Sequence, residues 1–99
     1  MNIRIEDDEL QKLYEDATFF APGLGGDVTK AFRKKMGLIV AATSELDLRN
    51  LRSLHLEKLK GDRAGQHSIR LNDQWRLILR FETDSGRKVV VIVEIVDYH

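Results

Sequence analysis

The sequence contains no cysteine. That one absence removes disulfides, zinc ribbons, thiol nucleophiles and thiolate-held iron–sulfur clusters together. No apolar run approaches the roughly 18–20 residues that a membrane-spanning helix needs, so no membrane partner is expected. The opening run Met1-Asn-Ile-Arg-Ile-Glu-Asp-Asp is too acidic for a signal peptide. Gly23, Gly25 and Gly26 follow no strand pattern and precede no Gly-Lys-Ser/Thr, which argues against a phosphate-binding loop. His55, His67 and His99 come with no carboxylate cluster, so no metal site and no other cofactor is expected. Repeats, low-complexity tracts and linkers are absent as well. A cytoplasmic enzyme, a binding module, or both, is what these absences leave.

What is present is an ordinary globular composition, 42% hydrophobic and 32% charged over 99 residues, enough for one domain spanning 1–99. The formal net charge is zero, but the charge is unevenly spread. Residues 1–27 carry seven acidic side chains against Arg4 and Lys12, while residues 28–88 carry fourteen basic against seven acidic ones. A basic middle in a neutral protein suits a polyanion site confined to one face. The plainer alternative is that the acidic segment folds over the basic one and neutralises it.

Periodicity supplies the elements. Asn2–Ile5 alternates as a short strand, and Asp7 or Asp8 caps a helix carrying Leu10, Leu13 and Tyr14. The segment Ala21-Pro22-Gly23-Leu24-Gly25-Gly26 reads as a loop. Asp27 is the expected cap of a second helix to about Ala42, with Ala31, Phe32, Met36, Ile39 and Val40 on its apolar stripe. Ser44 caps a short turn with Leu46, Leu48 and Leu51. From Leu54 the period becomes two. Leu54–Glu57, His67–Leu71 and Trp75–Glu82 alternate, and Val89–Val96 is apolar on both faces, as a central strand should be. Short loops between these strands predict an α+β fold, a small antiparallel sheet with two to three helices on one face.

In that arrangement Trp75, Leu77, Leu79 and Phe81 face the core, with Ile69, Leu71, His55 and His67 also inward. Lys60, Arg70, Arg76 and Arg80 are then offered on the opposite face, with Lys58 and Arg63 around the first turn. Guanidinium groups bind phosphate bidentately, so this face suits a nucleic-acid backbone. Alternatively it is a solvated face whose arginines pair with Glu57 and Glu82, each pair contributing little. Asp97-Tyr98-His99 follows the last strand: a histidine can exchange a proton near neutral pH, a tyrosine can stack on a base, and an aspartate can orient either.

The run from Leu56 to Arg76 (Leu-Glu-Lys-Leu-Lys-Gly-Asp-Arg-Ala-Gly-Gln-His-Ser-Ile-Arg-Leu-Asn-Asp-Gln-Trp-Arg), together with Glu94-Ile-Val-Asp-Tyr-His99, resembles the HigB toxins of the RelE/ParE superfamily. The resemblance covers the C-terminal half by motif and the helical half by layout. It implies a sheet with helices on one face, like a reduced microbial ribonuclease. It also implies a ribosome-dependent endoribonuclease that cuts mRNA in the A site. The implied partners are the ribosome, mRNA and a HigA-like helix-turn-helix antitoxin, through which alone operator DNA is contacted. Carried over by position, Lys60, Arg76, Asp97, Tyr98 and His99 fall on that family's active-site positions. One position departs from the pattern. Where some members have a histidine before the Leu-Lys-Gly turn, this chain has Glu57, with His55 one strand repeat upstream. The general base is thus open between Glu57, His55 and His99. Two other readings stand beside the nuclease: a ParE-like toxin that inhibits DNA gyrase by binding, and a degenerate toxin that acts only as antitoxin partner.

Overall fold

A computed structural model describes residues 1–98. The chain runs β1 (Asn2–Ile5), α1 (Asp8–Glu15), α2 (Gly26–Ala41), α3 (Glu45–Asn50), β2 (Glu57–Lys58), β3 (His67–Arg70), β4 (Trp75–Asp84) and β5 (Arg87–Asp97), with 3-10 turns at Arg52–Leu54 and Gly61–Arg63. Local chemistry explains the helix ends. Asp7 Oδ1 accepts from the Leu10 amide at 3.0 Å, and Ser44 Oγ accepts from the Asp47 amide at 3.2 Å. At α2 the expected cap differs by two residues. Gly25 occupies the N-cap, and Asp27 lies in the first turn, where the helix dipole favours a carboxylate. Of the expected stripe, Phe32, Met36 and Ile39 are buried, but Val40 is exposed.

The five strands lie in the order β1-β5-β4-β3-β2. The meander β2–β5 is antiparallel as expected, whereas β1 pairs parallel with β5, with Ile3 opposite Val90. The chain between the two, the helices and then β2–β4, makes the long return that a parallel pair requires. Strand β5 is interior, flanked by β1 and β4, in keeping with its two-sided apolar run, while β4 takes the middle position. A two-residue turn joins β4 to β5, with Ser85 and Gly86 both at positive φ (51° and 78°), the twist that suits a tight hairpin.

Helices cover one face only. Leu10 and Leu13 of α1, Val28, Phe32, Met36 and Ile39 of α2, and Leu48 of α3 pack with Ile69, Leu71, Leu77, Leu79, Val90 and Ile92 of the sheet. Truncating fully buried Phe32 to Ala would cost about 3–5 kcal/mol through lost transfer energy and a cavity. No helix among the described residues is long and apolar enough to cross a membrane.

One irregularity controls the other face. Pairing passes from Ile78–Glu94 directly to Leu79–Ile92, leaving Val93 as an extra residue in β5. Before it, Val89 and Val91 share a face with Glu82 and Arg80; after it, Glu94 and Val96 share that face with Ile78 and Arg76. In an unbroken ladder Val93 and Ile95 would take their place opposite Ile78 and Arg76.

The structure corrects two expectations near β2. His55 does not precede Glu57 along a strand. It ends the 3-10 turn in the left-handed region (φ 47°) and is exposed, because β2 begins only at Glu57. Neither inward packing nor a shared face with Glu57 applies to it. Lys58 registers with His67 and so lies on the helix side of the sheet, not on the face of Glu57. His67 itself is buried as expected, edge-on to Phe81 at 5.0 Å between centroids.

Candidate functional site

The sheet face turned away from the helices presents two adjoining cross-strand rows at its β2–β3 end. One is Arg70–Arg76–Val96, and the other is Glu57–Ser68–Ile78–Glu94. The turn between β2 and β3 reaches over the second row. Arg63 Nη1 donates to Gln66 Oε1 at 3.0 Å, and Arg63 Nη2 lies 3.6 Å from Glu94 Oε2 on β5. That span across β4 accounts for the burial of Ser68 and Ile78 on a face without helices.

Arg76 is held by three contacts. Its Nη1 donates to the Asn72 carbonyl at 2.7 Å and to the Trp75 carbonyl at 3.2 Å, and its Cζ lies 4.7 Å from the centre of the Tyr98 ring. All three contacts orient the guanidinium, and none brings a formal negative charge to it. Tyr98 reaches this position because its amide continues the strand ladder onto the Gln74 carbonyl at 2.6 Å. Cross-strand from Arg76, Arg70 is paired with Asp73 in the following turn.

Behind this pair stands Lys35 of α2, whose ammonium donates to the Arg70 carbonyl and, at 3.0 Å, to the Ser53 carbonyl. Burial pushes the Lys35 pKa below its ordinary value, and the charges of Arg70, Lys34 and Arg76 add to the effect. The Asn72 turn is likewise fastened to α2. Asn72 Nδ2 donates to Asp27 Oδ2 at 2.9 Å, and this bond, the largest cause, holds the Asp27 carboxyl below its usual range.

The remaining expected residues are distributed as follows. Glu57 and Lys60 are exposed, on β2 and at the entry to the 3-10 turn. Asp97 registers with Trp75, on the opposite side from Arg76, and its Oδ2 accepts from Gln74 Nε2 at 3.0 Å. His99 lies outside the described residues. Arg80 differs from its expected role as an open cation. It donates to both Glu6 and Glu82, and Glu82 also takes Arg4 Nη2 at 2.7 Å. Bonds from Arg80 first and Arg4 second hold the Glu82 carboxyl low, while Glu6 and Glu82 hold the Arg80 guanidinium high. Here the acidic N-terminal segment does neutralise part of the basic one.

Sequence reasoning passed over Lys35, Glu94 and the structural part of Asn72. Asn72 and Glu94 both lie in the runs that carry the family resemblance, but nothing in those runs marked their roles. A cavity of about 360 Å³ flanks the site, walled in part by Leu10, Pro22 and Trp75. Its charged residues, Asp7, Glu9 and Glu94, are all acidic, which makes it unfavourable for an anion.

The fold is shared with solved toxins. A YoeB/ParE toxin from Agrobacterium tumefaciens is 15% identical with a TM-score of 0.56, all of both chains being covered. YafQ from E. coli strain BL21(DE3) is 18% identical with a TM-score of 0.57, over 97% of this chain and 91% of that one. A chain of a YoeB-YefM complex from Staphylococcus aureus is 19% identical with a TM-score of 0.53, over 100% of this chain and 97% of that one. At these identities the likeness is one of fold. No curated protein matches the sequence. The family match is wider: the HigB-like toxin model, described as the RelE-like toxin of the type II toxin-antitoxin system HigB, matches residues 3–99. On that match the chain belongs to the HigB-like family of RelE-like toxins, the toxin half of a type II toxin–antitoxin pair.

Proposed function

We propose that this toxin is an endoribonuclease that cuts mRNA in the ribosomal A site and is neutralised by a HigA-like helix-turn-helix antitoxin. The observation that carries the reading is Arg76, fixed by two neutral carbonyls and the Tyr98 ring with its positive charge left for an anion. Attack by the RNA's own 2′-hydroxyl on the adjacent phosphate requires three things: a base for that hydroxyl, cations for the phosphorane charge, and an acid for the leaving 5′-oxygen. This chemistry has no step that requires a metal. Arg76 supplies the cation, with Arg70 beside it and Lys60 and Arg63 at the rim. Tyr98 presents a ring on which a base can stack. Proton transfer falls to Glu57 or His99, and Asp97, bonded to Gln74, steadies the chain between β5 and Tyr98. The ribosome contributes the mRNA geometry, so the general acid–base contribution required of the protein is small.

The test is induced expression in a bacterial host with 5′-end mapping of cellular RNA. Cuts within translated codons that vanish when initiation is blocked, and that Arg76→Ala abolishes, establish the activity. Growth arrest with intact mRNA would transfer the assignment to a target inhibited by binding, such as gyrase. No arrest at all would leave a toxin that serves only as antitoxin partner.

A further inference from the structure

Arg76 is a long, flexible side chain on a sheet face that no helix covers, yet its guanidinium has one defined direction. The origin of that direction lies one turn upstream, in Asn72. The Asn72 side chain is engaged at both ends. Its Oδ1 accepts from the Gln74 amide at 2.9 Å and from the Trp75 amide at 2.7 Å, closing the β3–β4 turn as an Asx turn. Its Nδ2 donates to Asp27 Oδ2 at 2.9 Å. The carbonyl of the same residue receives Arg76 Nη1 at 2.7 Å. Rotating the peptide plane that holds Arg76 therefore disturbs both the turn and the link to α2, a rigid sixteen-residue helix.

We propose that Asn72, anchored by Asp27 at the start of α2, is the positioning residue for Arg76 and aims its guanidinium along the Tyr98 ring toward the scissile phosphate. The last part rests on the nuclease reading; the aiming itself does not. Neither residue touches the RNA in this scheme. A ligand-free Asx turn would be needed for the hairpin in any case, but it has no use for a carboxylate on another element. The Asp27 bond is the feature that a turn alone leaves unexplained.

Asn72→Asp separates the two roles. It keeps an oxygen for the Gln74 and Trp75 amides but turns the donor facing Asp27 into a second carboxylate. Adding Asp27→Asn in the same chain restores a donor and an acceptor across the gap. The full-length toxin, made in a cell-free system, is examined in two ways. The first is the Arg76 side-chain NMR resonance, which the Tyr98 ring displaces and which is identified by its loss in Arg76→Lys. The second is mRNA cleavage in a reconstituted translation reaction.

In Asn72→Asp the Arg76 resonance should lose its ring displacement, and cleavage should fall roughly ten- to a hundredfold, as for an ångström-scale misplacement. The exchange variant D27N/N72D should recover both. Asp27→Ala, at an exposed position, gives the same reading should Asn72→Asp fail to fold. An Arg76 resonance unchanged in Asn72→Asp or in Asp27→Ala, or an exchange that restores neither signal, overturns the proposal. If the resonance moves and recovers while even the unaltered toxin cuts no mRNA, the positioning stands and the nuclease reading falls.

Discussion

Arg76 and Arg80 occupy the same strand and the same face, four residues apart, and the strand alternation gives no reason to distinguish them. The structure gives one. Arg80 is held by the carboxylates of Glu6 and Glu82, which fix it and cancel its charge. Arg76 is held by two carbonyls and an aromatic ring, which fix it and leave its charge intact. One arrangement fastens the N-terminal segment to the sheet; the other is prepared for an anion. An arginine's role here follows from the formal charge of its partners, not from its place in the alternation.

The comparison can be broken most directly by replacing each arginine in turn. Arg76→Ala should lower single-turnover mRNA cleavage on the order of a hundredfold or more, as loss of a charge-stabilising donor does. Arg80→Ala should alter cleavage little and cost stability of only about 0–1 kcal/mol, as expected of exposed ion pairs. Equal cleavage losses from the two would abolish the distinction. A smaller effect should come from Tyr98→Leu, which removes both the platform for a base and the support under Arg76. Affinity for single-stranded RNA, measured by filter binding, should weaken by about 1–3 kcal/mol.

Smaller again, Glu6→Gln with Glu82→Gln should release Arg80 as a new phosphate contact. The logarithmic salt dependence of RNA binding should then steepen by about 0.7. An unchanged slope would mean that the carboxylates do not keep Arg80 from RNA. The smallest effect concerns the helix side. Burial holds the His67 imidazole below its ordinary 6.5, so the unfolded chain takes up that proton first as pH falls. Stability is therefore full above about pH 6.5 and declines below it, toward the lower folded value. His67→Phe should flatten this part of a denaturation series, tracing the acid sensitivity to the core side and away from the arginine face.

Much of the fold was legible because it depends on short-range signals. Asp7 and Ser44 are caps, the period-two runs of β3 and β4 are strands, and the two-sided run in β5 lies inside the sheet. The parallel pairing of β1 was not, since a four-residue alternation specifies no direction. His55 was misread because an alternating tetrapeptide also fits a 3-10 turn followed by one left-handed residue. Of the site, Arg76 and Tyr98 were found by motif, but what separates them from Arg80 depends on Glu6, seventy-four residues distant in sequence. Counting charge over residues 28–88 overstates the open cations for the same reason. Arg33 is spent on the carbonyls of Leu13, Asp16 and Phe19, and Lys35 on those of Ser53 and Arg70.

The extra residue at Val93 divides β5 into two half-strands of opposite parity. The first half serves the core according to one alternation, and the second half delivers Tyr98 to Arg76 according to the other. Position 93 is consequently the point at which β5 carries one residue more than β4. Isoleucine or threonine there should leave both halves in place. Deleting the residue turns the bulge into a regular ladder, with Glu94 still opposite Ile78 and Val96 still opposite Arg76, so the ring stays beneath the guanidinium.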